Sequence, residues 1–456
     1  MIGVERGLNM YRKYEKRIQE WIDNSKKSLL IYGARQVGKT YLIREMLKRN
    51  NISFCEYNLI ERQDILMILE KSINADDTMR SLALYSDVPL EIGRSVIFID
   101  EIQEYPDIVT KIKFLTDNGM YRLIFSGSNL GVELKGIKSM PVGYVDMFQM
   151  YPLDFEEFAK AIGITDGVIN HVKDCYKKHE PVDELIHKKL IQVFYYYLIV
   201  GGMPSVINKY NDSYNLEYVN QEQENIINLY KADFIKYEAL NKRLKIISIY
   251  DNIPAQLNKQ NRKFKFTMLN KEVKFDRYED SFLWLKDAGV AIPVYITNVT
   301  NSPLEMSKET NVFKLFLSDV GLLTSCYPLS VKKELLQMNP EKEINNGALF
   351  ENYVAQELIA HNQKPYYYKK KDMGEVDYLI ETDDGVVPVE VKSGSNYKKH
   401  AALDNLIKHN NFKKTYVLSC NNMQEENEIT YLPIYMTGLI CDDKNDNIDY
   451  SMPPII

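Results

Sequence analysis

The chain has 456 residues, of which 45% are hydrophobic and 26% are charged, and its formal net charge at pH 7 is −6. That length exceeds what one hydrophobic core serves, so several domains are expected, and the composition is that of an ordinary soluble protein. The acidic balance argues against a surface that binds nucleic acid throughout, although a local basic patch can still bind it.

The first part of the chain alternates predicted strands with predicted helices. Apolar runs predict strands over residues 28–32, 52–58, 95–99 and 121–126, and helical spacing predicts helices over 41–48 and 108–117. This βαβ rhythm predicts an α/β domain with a parallel sheet over residues 1–150.

The middle of the chain is predicted to be mostly helical. Residues 151–240 show helical spacing with a Gly-Gly-Met-Pro break at 201–204, and we expect a helical lid there. Residues 242–275 contain nine Lys or Arg against two acidic residues, and a helix over 277–288 and strands over 290–299 and 312–317 follow. Helices followed by a hairpin predict a winged-helix module over residues 241–325.

The last third of the chain predicts a second, separate α/β domain over residues 326–440. Its elements come in the order helix, strand, strand, strand, helix, strand, over residues 348–360, 365–369, 376–381, 386–392, 401–409 and 414–419. The tail, 441–456, is polar and then contains prolines, so we expect it to be loosely ordered.

A phosphate-binding motif lies between the first strand and the first helix, where GARQVGKT fits the pattern G-x-x-x-x-G-K-[ST]. In such a loop the glycines let backbone N–H groups curl around phosphate oxygens, the lysine reaches the β and γ phosphates, and the hydroxyl ligates Mg²⁺. The motif predicts ATP and Mg²⁺ as ligands. The predicted nucleotide-binding residues are Gly33, Ala34, Arg35, Gln36, Val37, Gly38, Lys39, Thr40 and Tyr41.

Hydrolysis also needs carboxylates, and the predicted strand over 95–99 runs directly into Asp100 and Glu101. We expect Asp100, with Thr40, to hold Mg²⁺, and Glu101 to orient and deprotonate the attacking water beside the catalytic Lys39. The next strand ends in polar residues, of which Ser128 and Asn129 are candidates to sense the γ-phosphate or position the water. A plain strand-ending turn explains Ser128 and Asn129 equally well.

With these motifs the chain resembles the AAA-type ATPases of bacteria and archaea that carry a winged-helix module and a C-terminal domain of the restriction-endonuclease-like PD-(D/E)XK type. The resemblance covers almost the whole chain. It rests on GARQVGKT, VIFIDEIQ, FSGSN, MYPLDFEEF, GGMP and FLSDVGLL, of which only the first two are mechanistically sharp. The family usually has an arginine after the glycine that here is Gly143, where it acts in trans on a neighbour's nucleotide. This chain has Tyr144 at that position, which argues against a trans arginine finger and leaves assembly into an oligomer open.

The resemblance implies a nuclease-like constellation at four positions: Glu351, Asp377, Glu390 and Lys392. Alternation along a strand puts Glu390 and Lys392 on one face, where Asp377 from the next strand and Glu351 from a helix could share a metal ion. Such acids would hold Mg²⁺ for phosphodiester cleavage, while the lysine positions the nucleophile. A decayed structural copy, or an ion-pair face without metal, explains the same residues.

The basic segment interleaves charge with aromatic rings around Arg262, Phe264 and Phe266, and it could grip the phosphate backbone of DNA. A solvated charged face is the plainer alternative. A protein client is also possible.

No membrane span is predicted, because the longest apolar stretch, 194–207, is broken by Gly201, Gly202 and Pro204. The N-terminus lacks the apolar core of a signal peptide, and five cysteines without metal-type spacing cannot all pair. These features predict a cytoplasmic protein.

Three hypotheses for the function follow. The first is an ATPase whose hydrolysis moves the C-terminal region on DNA or on a partner protein. The second is a metal-dependent DNA nuclease that ATP regulates, and the third is a nucleotide-gated scaffold without catalysis.

Overall fold

The structure, a computed structural model, describes residues 10–128, 141–237, 240–259, 262–268, 275–338 and 346–442. Its helices are α1 Tyr14–Asn24, α2 Lys39–Arg49, α3 Gln63–Lys71, α4 Ala75–Leu84, α5 Ile108–Asn118, α6 Phe155–Ala161, α7 Asp166–Lys178, α8 Glu184–Val200, α9 Pro204–Ser213, α10 Leu216–Tyr237, α11 Leu240–Leu257, α12 Glu279–Asp287, α13 Val320–Thr324, α14 Leu329–Leu336, α15 Asn346–Ala360, α16 Ala401–His409 and α17 Leu439–Asp442. Short 3₁₀ turns span Ile102–Glu104, Phe266–Met268, Phe275–Arg277, Leu304–Ser307 and Ile434–Met436.

The strands belong to two sheets. They are β1 Ser28–Tyr32, β2 Phe54–Asn58, β3 Val96–Asp100, β4 Arg122–Gly127, β5 Val145–Gln149, β6 Ala291–Thr297, β7 Glu309–Leu317, β8 Tyr366–Lys370, β9 Gly374–Thr382, β10 Gly385–Val391, β11 Tyr416–Ser419, β12 Gln424–Glu426 and β13 Ile429–Pro433. The predicted strands and helices named above are confirmed to within a few residues at their ends. The tail beyond residue 442, predicted to be loosely ordered, lies outside the described residues.

The first sheet is parallel and has the strand order β2-β3-β4-β1-β5. Alternate side chains of its strands enter different cores: Leu29 and Ile31 belong to the core shared with the helices that follow β5, while Leu30 packs on the other face of the sheet. All five residues of β3 are buried, as expected for a strand covered by helices on both faces. The predicted α/β architecture is therefore confirmed for this part of the chain.

The second sheet has eight strands in the order β12-β13-β11-β10-β9-β8-β6-β7. The hairpin of β6 and β7, which we expected in a separate winged-helix module, pairs through β6 with β8 of the C-terminal region. The sheet is thus continuous across the predicted boundary between residues 325 and 326, because the parallel pairing of β6 with β8 links the two segments. A hairpin built into this sheet is not a free wing.

The Gly-Gly-Met-Pro break lies between α8 and α9 and packs against Asp319, which follows β7 of the second sheet. A Cβ atom on Gly202 would lie 2.1 Å from the carbonyl oxygen of Leu153, and one on Gly201 would lie 2.2 Å from Oδ1 of Asp319. Asp319 is fully buried, accepts from the backbone N–H of Gly202 at 2.6 Å and caps α13 through Leu322 at 3.0 Å. The GGMP and FLSDVGLL motifs therefore form one packed structural junction.

Among the described residues, no single helix is long and apolar enough to cross a membrane. The helices α8 and α9 reach the length and hydrophobicity of a membrane span only when they are counted together, and the chain bends by 115° between them. The five cysteines, which all lie within the described ranges, form no disulfide bond with one another.

Candidate functional site

The phosphate-binding loop, residues 33–40, connects β1 to α2 as predicted. Its backbone has positive φ at Gly33 (149°), Gln36 (65°) and Gly38 (97°). At the two glycine positions this conformation costs little, because glycine has no Cβ atom. A Cβ atom on Gly33 would lie 2.2 Å from the carbonyl oxygen of Met150, so this position admits no side chain. Ala34 and Val37 are buried and anchor the loop in the core.

Lys39 begins α2 and is buried, with 8% of its surface exposed. Its ammonium donates to the carbonyl oxygens of Gly33 at 3.1 Å and Ala34 at 2.9 Å. Burial lowers the pKa of Lys39 to about 8, although Glu101 and Asp100 oppose the shift. A phosphate anion near the ammonium would favour its charged form.

The predicted metal ligands lie together. The hydroxyl of Thr40 donates to Oδ2 of Asp100 at 2.8 Å, and Oδ1 of Asp100 accepts from the backbone N–H of Glu101 at 2.9 Å and from the hydroxyl of Ser126. Sequence reasoning missed Ser126, although the period of two along β4 places it on the same side as Ser128. Thr40 and Asp100 fit Mg²⁺, which prefers oxygen ligands and usually takes one or two from the protein beside phosphate and water.

Glu101 has the left-handed backbone conformation, with φ at 58°, directly after β3. Its Oε2 accepts from the amide of Gln103, which also contacts the hydroxyl of Ser128 at 3.2 Å. Oε1 of Gln103 is buried and has no hydrogen-bond partner within the described residues, and a water molecule would satisfy it. Gln103 was not predicted, and Asn129 lies outside the described residues.

Lys39, Thr40 and Glu101 face one cavity of about 370 Å³. Of the other predicted nucleotide-binding residues, Arg35, Gln36, Gly38 and Tyr41 also line it. Residues from α9 and α10 that sequence reasoning missed close the far side: Pro204, Ser205, Asn208 and Glu222. The helices α9 and α10 thus contribute to the pocket, a contribution that no local motif signals.

Two arginines fix the position of the loop. Arg35, within the loop, pairs with Asp233 of α10 at 2.8 Å, which ties the loop to that helix. Arg12, which sequence reasoning missed, is 4% exposed and donates to the carbonyl oxygens of Val37 at 2.8 Å and Tyr151 at 2.6 Å. Its Nε lies 3.3 Å from Oε1 of Glu157. A lone arginine far from the motif gives no sequence signal.

A buried charge cluster continues from Arg12 toward the C-terminal region. Asp154 and Glu157 form a capping box at the start of α6. Lys13 pairs with Asp154 at 2.7 Å, and His361, next to the end of α15, lies 3.3 Å from the same carboxylate. Burial raises the pKa of Asp154, but the combined effect of Lys13 and His361 outweighs burial, so the pKa lies well below its usual value. The MYPLDFEEF motif is thereby explained as a structural joint.

The four residues of the predicted nuclease-like site do converge. Asp377 on β9 and Glu390 on β10 are adjacent, because Oε2 of Glu390 accepts from the backbone N–H of Asp377 at 3.4 Å, and Lys392 contacts Glu390 at 2.8 Å. Glu351 on α15 lies across from them and pairs with Lys314 at 3.3 Å. Burial and the nearby Asp377 raise the pKa of Glu390 to about 7, against the effect of Lys392.

These residues do not fit a metal ion. Within the described residues, no group of three or more His, Cys, Asp or Glu side chains is arranged to hold one. Lys314, which was not predicted, lies between the carboxylates of Glu351 and Asp377, 3.3 Å and 3.6 Å away. The expectation that these acids share a metal ion is therefore wrong for this geometry, since an ammonium group lies between them.

The basic segment is partly engaged within the protein. Arg262 pairs with Glu351, and Lys245 donates to the carbonyl oxygen of Arg277 at 2.8 Å. Phe264 and Phe266 are buried and pack on each other, so their rings do not face solvent. Arg262, Phe264 and Phe266 are thus not presented to a nucleic acid as the sequence suggested, because their side chains complete the interior.

Comparisons with known proteins agree with the N-terminal geometry. Residues 25–159 match the family described as AAA domain, while residues 191–333 and 346–436 match domains of unknown function, DUF8612 and DUF4143. No curated protein matches the chain. The region over residues 25–159 is therefore an AAA domain with the parallel sheet and phosphate loop of a P-loop ATPase, which confirms that part of the prediction.

Several solved structures are distantly similar. The Walker-type ATPase PABY2304 of Pyrococcus abyssi is 14% identical, with a TM-score of 0.41, and the match covers 69% of this chain and 95% of that one. Cdc6p from Pyrobaculum aerophilum is 11% identical, with a TM-score of 0.26 over 73% and 96% of the two chains. Drosophila ORC bound to DNA is 13% identical, with a TM-score of 0.29 over 72% and 95%. At these values the similarities bear on neither the function nor the partners of this chain.

Proposed function

We propose that the chain binds Mg·ATP at residues 33–41 and hydrolyses it with Glu101 as the general base. The observation that carries the proposal is the hydrogen bond of 2.8 Å between Thr40 and Asp100, which joins the phosphate loop to the acidic end of β3. Thr40 lines the same cavity as Lys39 and Glu101, and Asp100 contacts Thr40. One site thus holds the groups for phosphate binding, metal binding and proton removal.

Each residue has a distinct task in this proposal. Lys39 exchanges its contacts with the carbonyl oxygens of Gly33 and Ala34 for contacts with the β and γ phosphates. Thr40 and Asp100 hold Mg²⁺, which when bound neutralises phosphate charge. Glu101 takes a proton from the attacking water.

The water position is supported by the side chains around Glu101. The amide N–H of Gln103 fixes one carboxylate oxygen of Glu101, while the buried and unpartnered carbonyl of Gln103 can accept from a water beside it. Ser128 completes this group at 3.2 Å from Gln103, in a role of positioning. Asn129 stays a prediction.

The binding part of the proposal is tested by titrating ATP into the full chain with Mg²⁺ or with EDTA. Lys39→Ala is expected to lose affinity under both conditions, because it removes the only side chain assigned to the phosphates. Thr40→Ala and Asp100→Asn are expected to lose only the gain in affinity that Mg²⁺ gives. Glu91→Gln, an exposed carboxylate change away from the cavity, is the matched control. Unchanged affinity in Lys39→Ala would refute the site.

We also propose that hydrolysis acts on a partner through the C-terminal region, with DNA as the first candidate. The contacts of Arg35 with α10 and of Arg12 with the charge cluster near α15 support such coupling, since they link the phosphate loop to both regions. Single-stranded and double-stranded DNA are added to the ATPase assay. A rate that neither DNA changes removes DNA from the proposal and leaves a protein client.

We also propose that the C-terminal region has a nuclease-like fold and that a winged-helix-like segment precedes it. The order α15, β8, β9, β10, α16, β11 supports a nuclease-like fold. Helices α11 and α12 followed by β6 and β7 keep the order of a winged helix, although the hairpin is part of the large sheet. The predicted lid over residues 151–240 is supported by the residues of α9 and α10 that line the cavity.

A further inference from the structure

Four carboxylates gather at the C-terminal cluster, and each of their oxygens has a protein partner. Glu351 contacts Arg262 and Lys314, and Glu375 contacts Lys314 at 3.0 Å and Lys369 at 2.7 Å. Oδ1 of Asp377 lies 3.6 Å from Lys314, while Oδ2 accepts from the backbone N–H of Val391 at 3.0 Å. The two oxygens of Glu390 accept from Lys392 at 2.8 Å and from the backbone N–H of Asp377 at 3.4 Å. Each of these oxygens thus has a cation or a backbone N–H group within 3.6 Å.

Lys314 is the centre of this cluster. It lies on β7 with 2% of its side chain exposed, and it reaches carboxylates of three different residues, Glu351, Glu375 and Asp377. Its ammonium donates to Oε2 of Glu351 at 3.3 Å, and the carboxylates of Glu375 and Asp377 lie within ion-pair distance of it. The ring of Tyr367, 5.2 Å away, covers another side.

The backbone determines how the side chains of Lys314 and Arg262 reach the cluster. Residue 314 forms an isolated antiparallel bridge with Lys263, and the backbone N–H of Phe264 donates to Phe313 at 2.9 Å. Arg262 therefore reaches the cluster from the segment that lies beside β7. The placement of the cations is thus a consequence of the sheet and not of loose surface side chains.

We propose that the ammonium of Lys314 occupies the position that a divalent metal ion would take, and that the C-terminal cluster is a closed ion-pair site that excludes metal. The formal charges balance, with four carboxylates against Arg262, Lys314, Lys369 and Lys392. A metal ion needs oxygen ligands at about 2.0–2.6 Å. Here those oxygens already face cations or backbone N–H groups, and a dication at that distance would also be repelled by Lys314.

This arrangement removes metal-assisted cleavage of phosphodiesters from the chemistry of the cluster. The carboxylates instead tie α15, β9 and β10 to the hairpin that carries Lys314. The inference is independent of ATP hydrolysis, because no residue of the phosphate loop takes part in it.

The test is Mn²⁺ binding to the full chain without nucleotide, followed by the electron paramagnetic resonance signal of free Mn²⁺. Every protein carries Asp100→Asn, so that the phosphate loop does not contribute a metal ligand. Lys314→Met is expected to gain one Mn²⁺ and to bind it about tenfold or more tightly than Lys314→Arg, which keeps the positive charge. Adding Asp377→Asn to Lys314→Met is expected to abolish the gain.

Two results of the Mn²⁺ titration would each overturn the inference: Mn²⁺ bound by the Asp100→Asn parent and lost with Asp377→Asn, or a folded Lys314→Met protein that gains no metal. If Lys314→Met is unfolded at the assay temperature, its thermal melt is recorded with increasing Mn²⁺. Recovery of the folded protein by Mn²⁺, without such an effect in Lys314→Arg, supports the inference, and no recovery contradicts it. Cleavage of linear duplex DNA by the unmodified chain with Mn²⁺, abolished by Asp377→Ala, would also contradict it.

Discussion

Replacing Arg12 by Met should destabilise the AAA domain and weaken its nucleotide site together. The guanidinium is 4% exposed and donates to two backbone carbonyls and to Glu157, whose side chain is completely buried. Breaking a buried ion pair by removing one partner costs about 3–5 kcal/mol, because the remaining charge stays buried. For a domain of this size that corresponds to a fall in melting temperature of roughly 6–20 °C. ATP affinity should fall too, since Arg12 holds the carbonyl oxygen of Val37 in the phosphate loop.

Thermal melts and ATP titrations of the single and double variants test the role of this ion pair. Arg17→Met is the matched control, because Arg17 is exposed on α1 and only stacks on Phe148 at 4.5 Å. It should cost less than about 1 kcal/mol. The double variant Arg12→Met/Glu157→Gln should be more stable than the sum of the two single effects by about 1 kcal/mol or more. An Arg12→Met protein as stable as the control, or strictly additive effects, would refute the ion-pair account.

Three further predictions concern Lys39, Gly33 and Asp319. ATP affinity, measured by fluorescence anisotropy, should fall as the pH rises through about 8. Burial lowers the pKa of Lys39 to about 8, and the neutral amine attracts phosphate less than the ammonium does. The variant Lys39→Arg, which keeps its charge over this range, should show no such fall. Gly33→Ala should abolish ATP binding while circular dichroism stays unchanged, whereas Gly93→Ala, at a positive φ with open space around it, should bind normally. Asp319→Ala should lower the free energy of unfolding by about 2–4 kcal/mol, since buried backbone N–H groups lose their acceptor. Burial raises the pKa of Asp319 from 3.8 to about 6, so the stability that this group contributes should fall as the pH rises from about 4 through 6, and melts of Asp319→Asn should lack that component.

The sequence predicted those parts of the fold and site that depend on local pattern. The phosphate loop from Gly33 to Thr40 and the strand that ends at Asp100 each combine an apolar run with a specific polar ending, and the structure joins them through Thr40. Periodicity also predicted most strands, because buried strands carry continuous apolar runs.

The parts that sequence reasoning missed depend on contacts between distant segments. Arg12 and Asn208 both line the nucleotide cavity, and Arg12 also donates to Val37 of the loop. Neither residue lies in a recognisable motif, so its position depends on tertiary packing. The hairpin of β6 and β7 has the pattern of an independent module, and its pairing with β8 is decided by tertiary structure. Lys314 shows the same limit, since the family resemblance pointed to the acids but not to the lysine between them.

The most direct test of the central claim is the turnover of ATP by Glu101→Gln compared with the unmodified chain at saturating Mg·ATP. If Glu101 is the general base, ATP affinity should stay within a small factor of the original, while the rate of phosphate release should fall by about 10²–10⁴. Phosphate release by Glu101→Gln at the rate of the unmodified chain would contradict the account.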